Sequence, residues 1–404
     1  MTVALPRELG DGLVLRAARL ADGTELSEFN ATMHADDDVP GSLLAEWTRD
    51  LFESPHPTFR PDRDVTVVED TATGHIVSAL FLIPQVWSYA GLPMPVGQPE
   101  LIATHPDYRR RGLVRAQFDV VHAWSHAAGQ LWQFISGIPW YYRQFGYSYA
   151  LDLPARRRLW FGRKPPPPST AFSVRTATMA DIGMLAAIEA EATSGSALGP
   201  LRGSEGFAAE LARRPGSLVA CQLLVIESAT EAAAPVGYVA HQHRLVDGVV
   251  SVYAFELRRG VNWLAPTAAV LAHLHGWVCA HPDGPGRGVR FSLPAGHPGL
   301  RCAATRLGHE PPHSYGLYVR VPDVTALLRA VTPVLEARLA ASPAVDWTGE
   351  LRISLYGDGL LLQWNEGRLV SIERWGPPDD DDEIPADASL PVADLPHVLY
   401  RLRR

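Results

Sequence analysis

Four consecutive prolines, Pro165-Pro166-Pro167-Pro168, constrain this chain more than any other feature. A proline run fixes φ, removes backbone donors and favours extended polyproline geometry, so it cannot lie inside a helix or a central strand. The segment therefore divides the chain. With 404 residues, and domains usually of about 100–200 residues, two or three folding units are expected.

Upstream of the prolines, Asp64 to Glu69 and His75 to Ile83 read as strands joined by a turn at Thr73-Gly74. Pro99 to Thr104 is a further apolar run, and Arg111 to Ala128 has helical spacing at Leu113, Phe118, Val121 and Trp124. Leu131 to Ser136 reads as the next strand. Downstream, a helix from Met179 to Glu191 precedes strands at Ser217 to Glu227, Pro235 to His243 and Val249 to Leu257. A helix from Pro266 to Ala280 and a strand at Val289 to Leu293 complete an order that echoes the first unit. From Asp323 a helix (Val324 to Ala340) leads into strands at Glu350 to Tyr356, Leu360 to Asn365 and Arg368 to Arg374. The expectation is a mixed α/β chain of three units, 1–164, 165–322 and 323–404.

Composition narrows the function. Lys and Arg total 36 against 44 Asp and Glu, a net charge of −8, which argues against a general nucleic-acid surface. Lys164 is the sole lysine, so a Schiff base elsewhere is excluded. The three cysteines, Cys221, Cys279 and Cys302, are too scattered for a disulfide framework or a metal knuckle. Neither a signal peptide nor a run of roughly 18 apolar residues is present, and the reading is a cytoplasmic protein that does not enter membranes.

Chemistry concentrates in Leu101-Ile102-Ala103-Thr104-His105-Pro106-Asp107-Tyr108-Arg109-Arg110-Arg111-Gly112-Leu113-Val114. A strand, a turn and a basic loop here open a helix. Exposed N–H groups at a helix start attract anions, arginines add charge-assisted donors, and a glycine permits close backbone approach. The loop reads as a pyrophosphate cradle, or as a basic turn capping an ordinary helix. It is neither a Walker loop nor a dinucleotide fingerprint.

The spacing Arg109-x-x-Gly112-x-Val114 resembles the acyl-CoA motif of the GNAT acetyltransferase superfamily, Gln/Arg-x-x-Gly-x-Gly/Ala, with Val114 in place of the final small residue. A strand followed by Tyr142-x-x-Phe145-Gly146-Tyr147 resembles the end of a GNAT domain. The layout is similar to the enhanced-intracellular-survival (Eis) family, which has two tandem GNAT-like domains and a small α+β sterol-carrier-like C-terminal domain. That resemblance implies acetyl-CoA as acyl donor. Ile102 and Thr104 would bond its pantetheine arm, and Arg109, Arg110, Arg111, Gly112, Leu113 and Val114 would hold its pyrophosphate. It also implies Tyr142, or its competitor Tyr141, as the acid that protonates the thiolate. The acceptor would be a primary amine of an aminoglycoside- or polyamine-like molecule or a lysine side chain, and the assembly a homo-oligomer, six subunits being the family's habit. In that family the terminal carboxylate acts as base; here Arg404 ends the chain beside other cations, leaving the base unassigned.

Asp36, Asp37 and Asp38 would draw a cationic amine if they face the acceptor pocket; as a plain exposed loop they would do nothing. His122 and His126 have helical metal spacing without a third ligand, so no metal is expected. Two alternatives stand beside direct acyl transfer: a non-catalytic acyl-CoA sensor or assembly protein, and a peptidyl transferase using aminoacyl-tRNA, which the acidic balance disfavours.

Overall fold

The computed structural model describes residues 3–35, 40–54, 56–162, 166–167, 169–196, 198–213, 217, 219–229, 234–282, 284–303, 308–309, 316–355, 358–376 and 387–389. The chain begins with β1 (Arg7–Gly10), β2 (Leu13–Ala17), α1 (Gly23–His34), α2 (Gly41–Glu53) and α3 (Pro61–Asp64). There follow β3 (Val65–Asp70), β4 (His75–Tyr89), β5 (Leu92–Thr104), α4 (Leu113–Ala127), β6 (Trp132–Ile135) and β7 (Ser148–Leu151). The middle of the chain contributes β8 (Ala155–Trp160), β9 (Phe172–Thr176), α5 (Ile182–Ser194), β10 (Leu198–Pro200) and α6 (Gly203–Leu211). It continues with β11 (Cys221–Ser228), β12 (Ala234–Gln242), β13 (Val249–Leu257), α7 (Leu264–Cys279), β14 (Gly288–Leu293), α8 (Pro298–Cys302) and β15 (Gly308–His309). Last come β16 (Leu317–Arg320), α9 (Val324–Ala340), β17 (Gly349–Ser354), β18 (Gly359–Asn365), β19 (Arg368–Arg374) and β20 (Ala388–Ser389).

Among the described residues these strands form three sheets. Nine strands make the first, in the order β1-β2-β3-β4-β5-β6-β16-β7, with β10 added to β4. Seven make the second, β15-β8-β14-β13-β12-β11-β9, and four the third, β19-β18-β17-β20. Helices α1 and α2 bury Leu26, Leu44 and Leu51 against one face of the first sheet. On the other face, α4 buries Leu113, Ala116 and Val120. A separate core joins the far end of that sheet, through Tyr89, Met94, Val96 and Trp132, to Leu327, Leu328 and Val331 of α9 and to the third sheet.

Two strands cross between the sheets. β8 precedes the proline run, yet pairs antiparallel with β14 in the second sheet. In return β16, from beyond the second set of strands, lies between β6 and β7 in the first.

The second sheet's connections repeat the first's down to individual ion pairs. Arg16 on β2 meets Asp22 at 2.6 Å and Glu69 on β3 at 2.7 Å. Arg175 on β9 meets Asp181 at 2.8 Å and Glu227 on β11 at 2.7 Å. Both aspartates also accept a backbone N–H, from Arg19 and Thr178, each at 2.7 Å, so each closes the turn that starts the next helix. The Arg175 guanidinium holds the Asp181 carboxyl well below the usual range, against the effect of burial. A depressed folded-state pKa means the pair contributes fully above the unfolded value, about 4, and is lost as the pH falls through the folded one. Asp181→Asn is therefore expected to cost about 1–3 kcal/mol at pH 7, with the gap to wild type closing at acid pH, as read by denaturant melts across pH.

The hairpin of β4 and β5 is longer than the sequence suggests. β4 runs past Pro84, which pairs opposite Gly97, because β3 accompanies β4 only as far as Phe81 and β10 joins that edge only from Trp87, so no strand needs an N–H from Pro84. On β5, Pro93, Pro95 and Pro99 fall at alternate positions, so their missing N–H groups share one edge. That edge faces β6, since the Pro95 carbonyl accepts from Leu131 N at 2.9 Å.

Candidate active site

β5 and β6 run parallel but pair only at Val96 with Trp132 and Gly97 with Gln133. Pro99 has no N–H to continue the ladder, and the strands diverge. Beyond it β5 carries a bulge: Leu101 and Ile102 together oppose Leu80, with Leu101 at φ +50°. Ile102 and Thr104 thus lie on the strand that borders the opening. Thr104 is fixed by a 2.8 Å hydrogen bond between its hydroxyl and Ser78, and its carbonyl accepts from Arg109 Nε at 3.2 Å.

After a short 3-10 turn at Pro106–Tyr108, Arg110 and Gly112 both take left-handed backbone, at φ +64° and +77°. Gly112 is the residue immediately before α4, and a Cβ there would meet no protein atom within 4 Å. Left-handed residues in such a loop turn successive N–H groups into one concavity, at the positive end of α4. Arg111 is braced on the Tyr108 ring at 5.0 Å, and Arg115 on Phe145 at 5.3 Å.

Across the opening, Tyr141–Phe145 forms a 3-10 helix. Trp140 at φ +69° and Gly146 at φ +83° bend the chain sharply at either end, which excludes an extended run. Tyr142 is 6% exposed and packs edge-on to Phe118, Tyr147 and Tyr318. Gly137, at φ +138°, lies under its ring, where a Cβ would come within 3.4 Å of the phenol oxygen. Burial, reinforced by the nearby Glu100 carboxylate, pushes the Tyr142 phenol well above its ordinary range. Tyr141 is half-buried and shifted upward by burial.

Ile102, Thr104, Arg109, Arg110, Gly112, Leu113, Val114, Tyr141 and Tyr142 line one cleft of about 680 Å³, closed on its other side by Met33 and His34 of α1. Arg111 is not among its walls and turns instead to the Asp107 carbonyl, 3.2 Å away. A family profile described as an acetyltransferase (GNAT) domain matches residues 27–150. This stretch is a GNAT acetyltransferase domain.

Solved structures of similar fold extend beyond the GNAT domain. A GCN5-related N-acetyltransferase from Kribbella flavida is 18% identical, over 91% of this chain and 84% of its own, with a TM-score of 0.57. One from Anabaena variabilis is 11% identical over 97% and 90%, at TM-score 0.63. Eis1 from Mycobacterium abscessus is 15% identical over 96% and 89%, at TM-score 0.56. At these identities the likeness establishes the fold. No curated protein matches by sequence.

Beside the cleft stands a carboxylate that sequence reading passed over, near enough for its charge to act on the Tyr142 phenol. Glu100 follows Pro99 on β5, just before the bulge. Its Oε1 accepts from Gln98 Nε2 at 2.8 Å, and its Oε2 from Leu101 N at 3.4 Å. Burial pushes its carboxyl up to about 7, against those two hydrogen bonds. The available signal was positional: an acid inside an apolar strand, directly before the basic loop.

Asp36, Asp37 and Asp38 lie outside the described residues, as does the chain end at Arg404. His122 Nε2 shares a 3.1 Å hydrogen bond with Tyr147. Among the described residues no cluster of three His, Cys, Asp or Glu side chains could hold a metal, and no helix is long and apolar enough to cross a membrane.

Proposed function

We propose that this protein is an acetyl-CoA-dependent N-acetyltransferase that acts on the primary amine of a polyamine- or aminoglycoside-like molecule or of a lysine side chain, by direct transfer. The reading rests on one observation: Tyr142 lines the same cleft as the Arg109–Val114 loop, and Glu100, whose charge acts on that phenol, stands on β5 just past the point where its pairing with β6 ends. The loop suits a pyrophosphate because its left-handed Arg110 and Gly112 turn backbone donors outward beside arginine side chains. Bound acetyl-CoA supplies the activated acyl group. Glu100, ionised above pH 7, takes the proton that an ammonium must lose before its nitrogen can attack. Tyr142, neutral throughout the working range, gives a proton to the departing thiolate. The unpaired edge of β5 supplies N–H groups to the acyl oxygen.

The acceptor preference follows from charge. Glu100 is a carboxylate on β5 two residues before Ile102, which lines the cleft, and the sequence places Asp36, Asp37 and Asp38 shortly after His34, which lines its wall. The middle unit serves as architecture in this reading. Its corresponding loop, before α7, is tied down: Arg259 N donates to Glu191 at 2.7 Å, Arg259 Nη2 to Ser194 at 2.7 Å, and Arg258 Nε to the Pro235 carbonyl at 3.2 Å. Unit limits of 1–164, 165–322 and 323–404, the last sterol-carrier-like, belong to the same proposal as divisions along the sequence, β8 and β16 being the strands that the first two exchange.

The direct test follows free thiol release from acetyl-CoA over a panel of aminoglycosides, polyamines and lysine peptides. Release that depends on the acceptor is expected, and absence of acetyl-CoA binding would overturn the assignment of the loop. Gly112→Ala is expected to raise KM for acetyl-CoA about fivefold with little change in kcat. The left-handed backbone of an alanine costs about 1 kcal/mol, and its methyl would project toward the ligand.

A further inference from the structure

Glu100 ends a chain of side-chain hydrogen bonds that the transfer chemistry does not itself require. Trp87 Nε1 donates to Gln85 Oε1 at 2.9 Å. Gln85 Nε2 donates to Gln98 Oε1, and Gln98 Nε2 to Glu100 Oε1 at 2.8 Å. Register puts the four residues on one face of the β4–β5 hairpin: Gln85 pairs with Val96, Gln98 with Ile83 and Glu100 with Phe81.

The order of donors is decided at the far end. A glutamine amide can turn over and exchange its donor for its acceptor, whereas an indole N–H can only donate. With Trp87 donating, Gln85 must present its oxygen to the indole and its NH₂ to Gln98. Gln98 must then present its own NH₂ to Glu100. Trp87 cannot readily turn, since its ring is held edge-on by Trp132 at 5.3 Å and tilted against Phe134 at 4.8 Å, while its backbone pairs with Pro200 of β10.

We propose that Trp87, Gln85 and Gln98 are positioning residues that orient the Glu100 carboxylate and bias it toward its ionised form, with Trp87 setting the direction of the relay. This rests on the reading of Glu100 as the base. The titratable groups around Glu100 offer no substitute. Tyr142, on the facing turn, stays protonated, and His34 of α1, whose ring bonds the Leu101 backbone, is pushed down by burial and is neutral at pH 7 and above. A hydrogen bond to the charged form lowers a carboxyl pKa, so loss of the Gln98 donor must raise it.

The test uses the full-length protein with glutamate labelled with ¹³C at the carboxyl carbon, the Glu100 signal being assigned by its loss in Glu100→Gln. Gln98→Met, which keeps length and removes the donor, is expected to raise the Glu100 titration midpoint by about one pH unit. Trp87→Phe, which keeps an aromatic ring and removes the indole donor, is expected to raise it by a smaller amount. An unmoved midpoint in Gln98→Met overturns the relay. A midpoint moved by Gln98→Met but unmoved by Trp87→Phe overturns the directing role of the tryptophan. Thermal melts of both variants confirm folding before titration. The acid limb of kcat/KM for an amine acceptor is then compared: if the carbon signal moves and the limb does not follow, the relay stands and the reading of Glu100 as base falls.

Discussion

Glu100→Gln is expected to lower kcat/KM for the amine acceptor by about 10²–10³-fold at pH 8, the range typical for loss of a positioned general base. Glutamine preserves the shape and the hydrogen bond from Gln98 but cannot take a proton. The wild-type profile should fall on the acid side through a midpoint near the carboxyl's value of about 7, and that limb should be missing from the residual activity of the variant. Stability should respond in the opposite sense. A carboxyl whose folded-state pKa is raised above the unfolded value favours folding at low pH, and that advantage is lost as the pH climbs through the window from about 4.5 to about 7. Glu100→Gln should therefore melt at a higher temperature than wild type at pH 8, with the two converging toward pH 4. A variant that loses activity and stability together would remove Glu100 from the chemistry and assign it to the fold.

Tyr142→Phe is expected to lower kcat by at least about tenfold, a loss of roughly 1.4 kcal/mol of transition-state stabilisation, while KM for acetyl-CoA stays close to wild type. The ring contacts with Phe118, Tyr147 and Tyr318 survive the substitution, and only the hydroxyl above Gly137 is removed. Tyr141→Phe supplies the contrast. Tyr141 borders the same cleft but is only half-buried, so its variant should retain most of the wild-type kcat. Reversal of the two results would exchange the roles of the neighbouring tyrosines.

The parts of the site readable from sequence were those whose chemistry is local. Arg109 to Val114 stood out as a glycine among arginines at the start of an apolar-spaced helix, open also to a plain basic turn, and Tyr142, with Tyr141 as competitor, by its spacing to Phe145-Gly146-Tyr147. The helix Val324–Ala340 and the strand Val249–Leu257 also lie where their periodicity puts them. The length of the hairpin was not legible: the strand expected at His75 to Ile83 runs on to Tyr89, and the run expected from Pro99 begins at Leu92. Pro84, Pro93, Pro95 and Pro99 look like strand breakers, and their tolerance depends on which edge each missing N–H faces, a property of pairing that no local window contains. The repeat is carried by sequence as well, since Arg16-Ala-Ala-Arg-Leu-Ala-Asp22 and Arg175-Thr-Ala-Thr-Met-Ala-Asp181 share their spacing. The exchange of β8 and β16 is not, because four residues, Leu317 to Arg320, carry no mark of which sheet they will join.

That exchange sets a timetable for biosynthesis. While the ribosome is still making the middle of the chain, β6 and β7 have no strand between them, and Tyr142 lacks the Tyr318 ring that completes its setting. N-terminal units generally fold as they emerge, but this one must wait with two strand edges exposed to whatever neighbours it meets. The first sheet is thus completed only once the residues after the second sheet have been delivered to it. A chain that stops before Leu317 carries the Arg109–Val114 loop in sequence but leaves β6 and β7 without the strand that joins them.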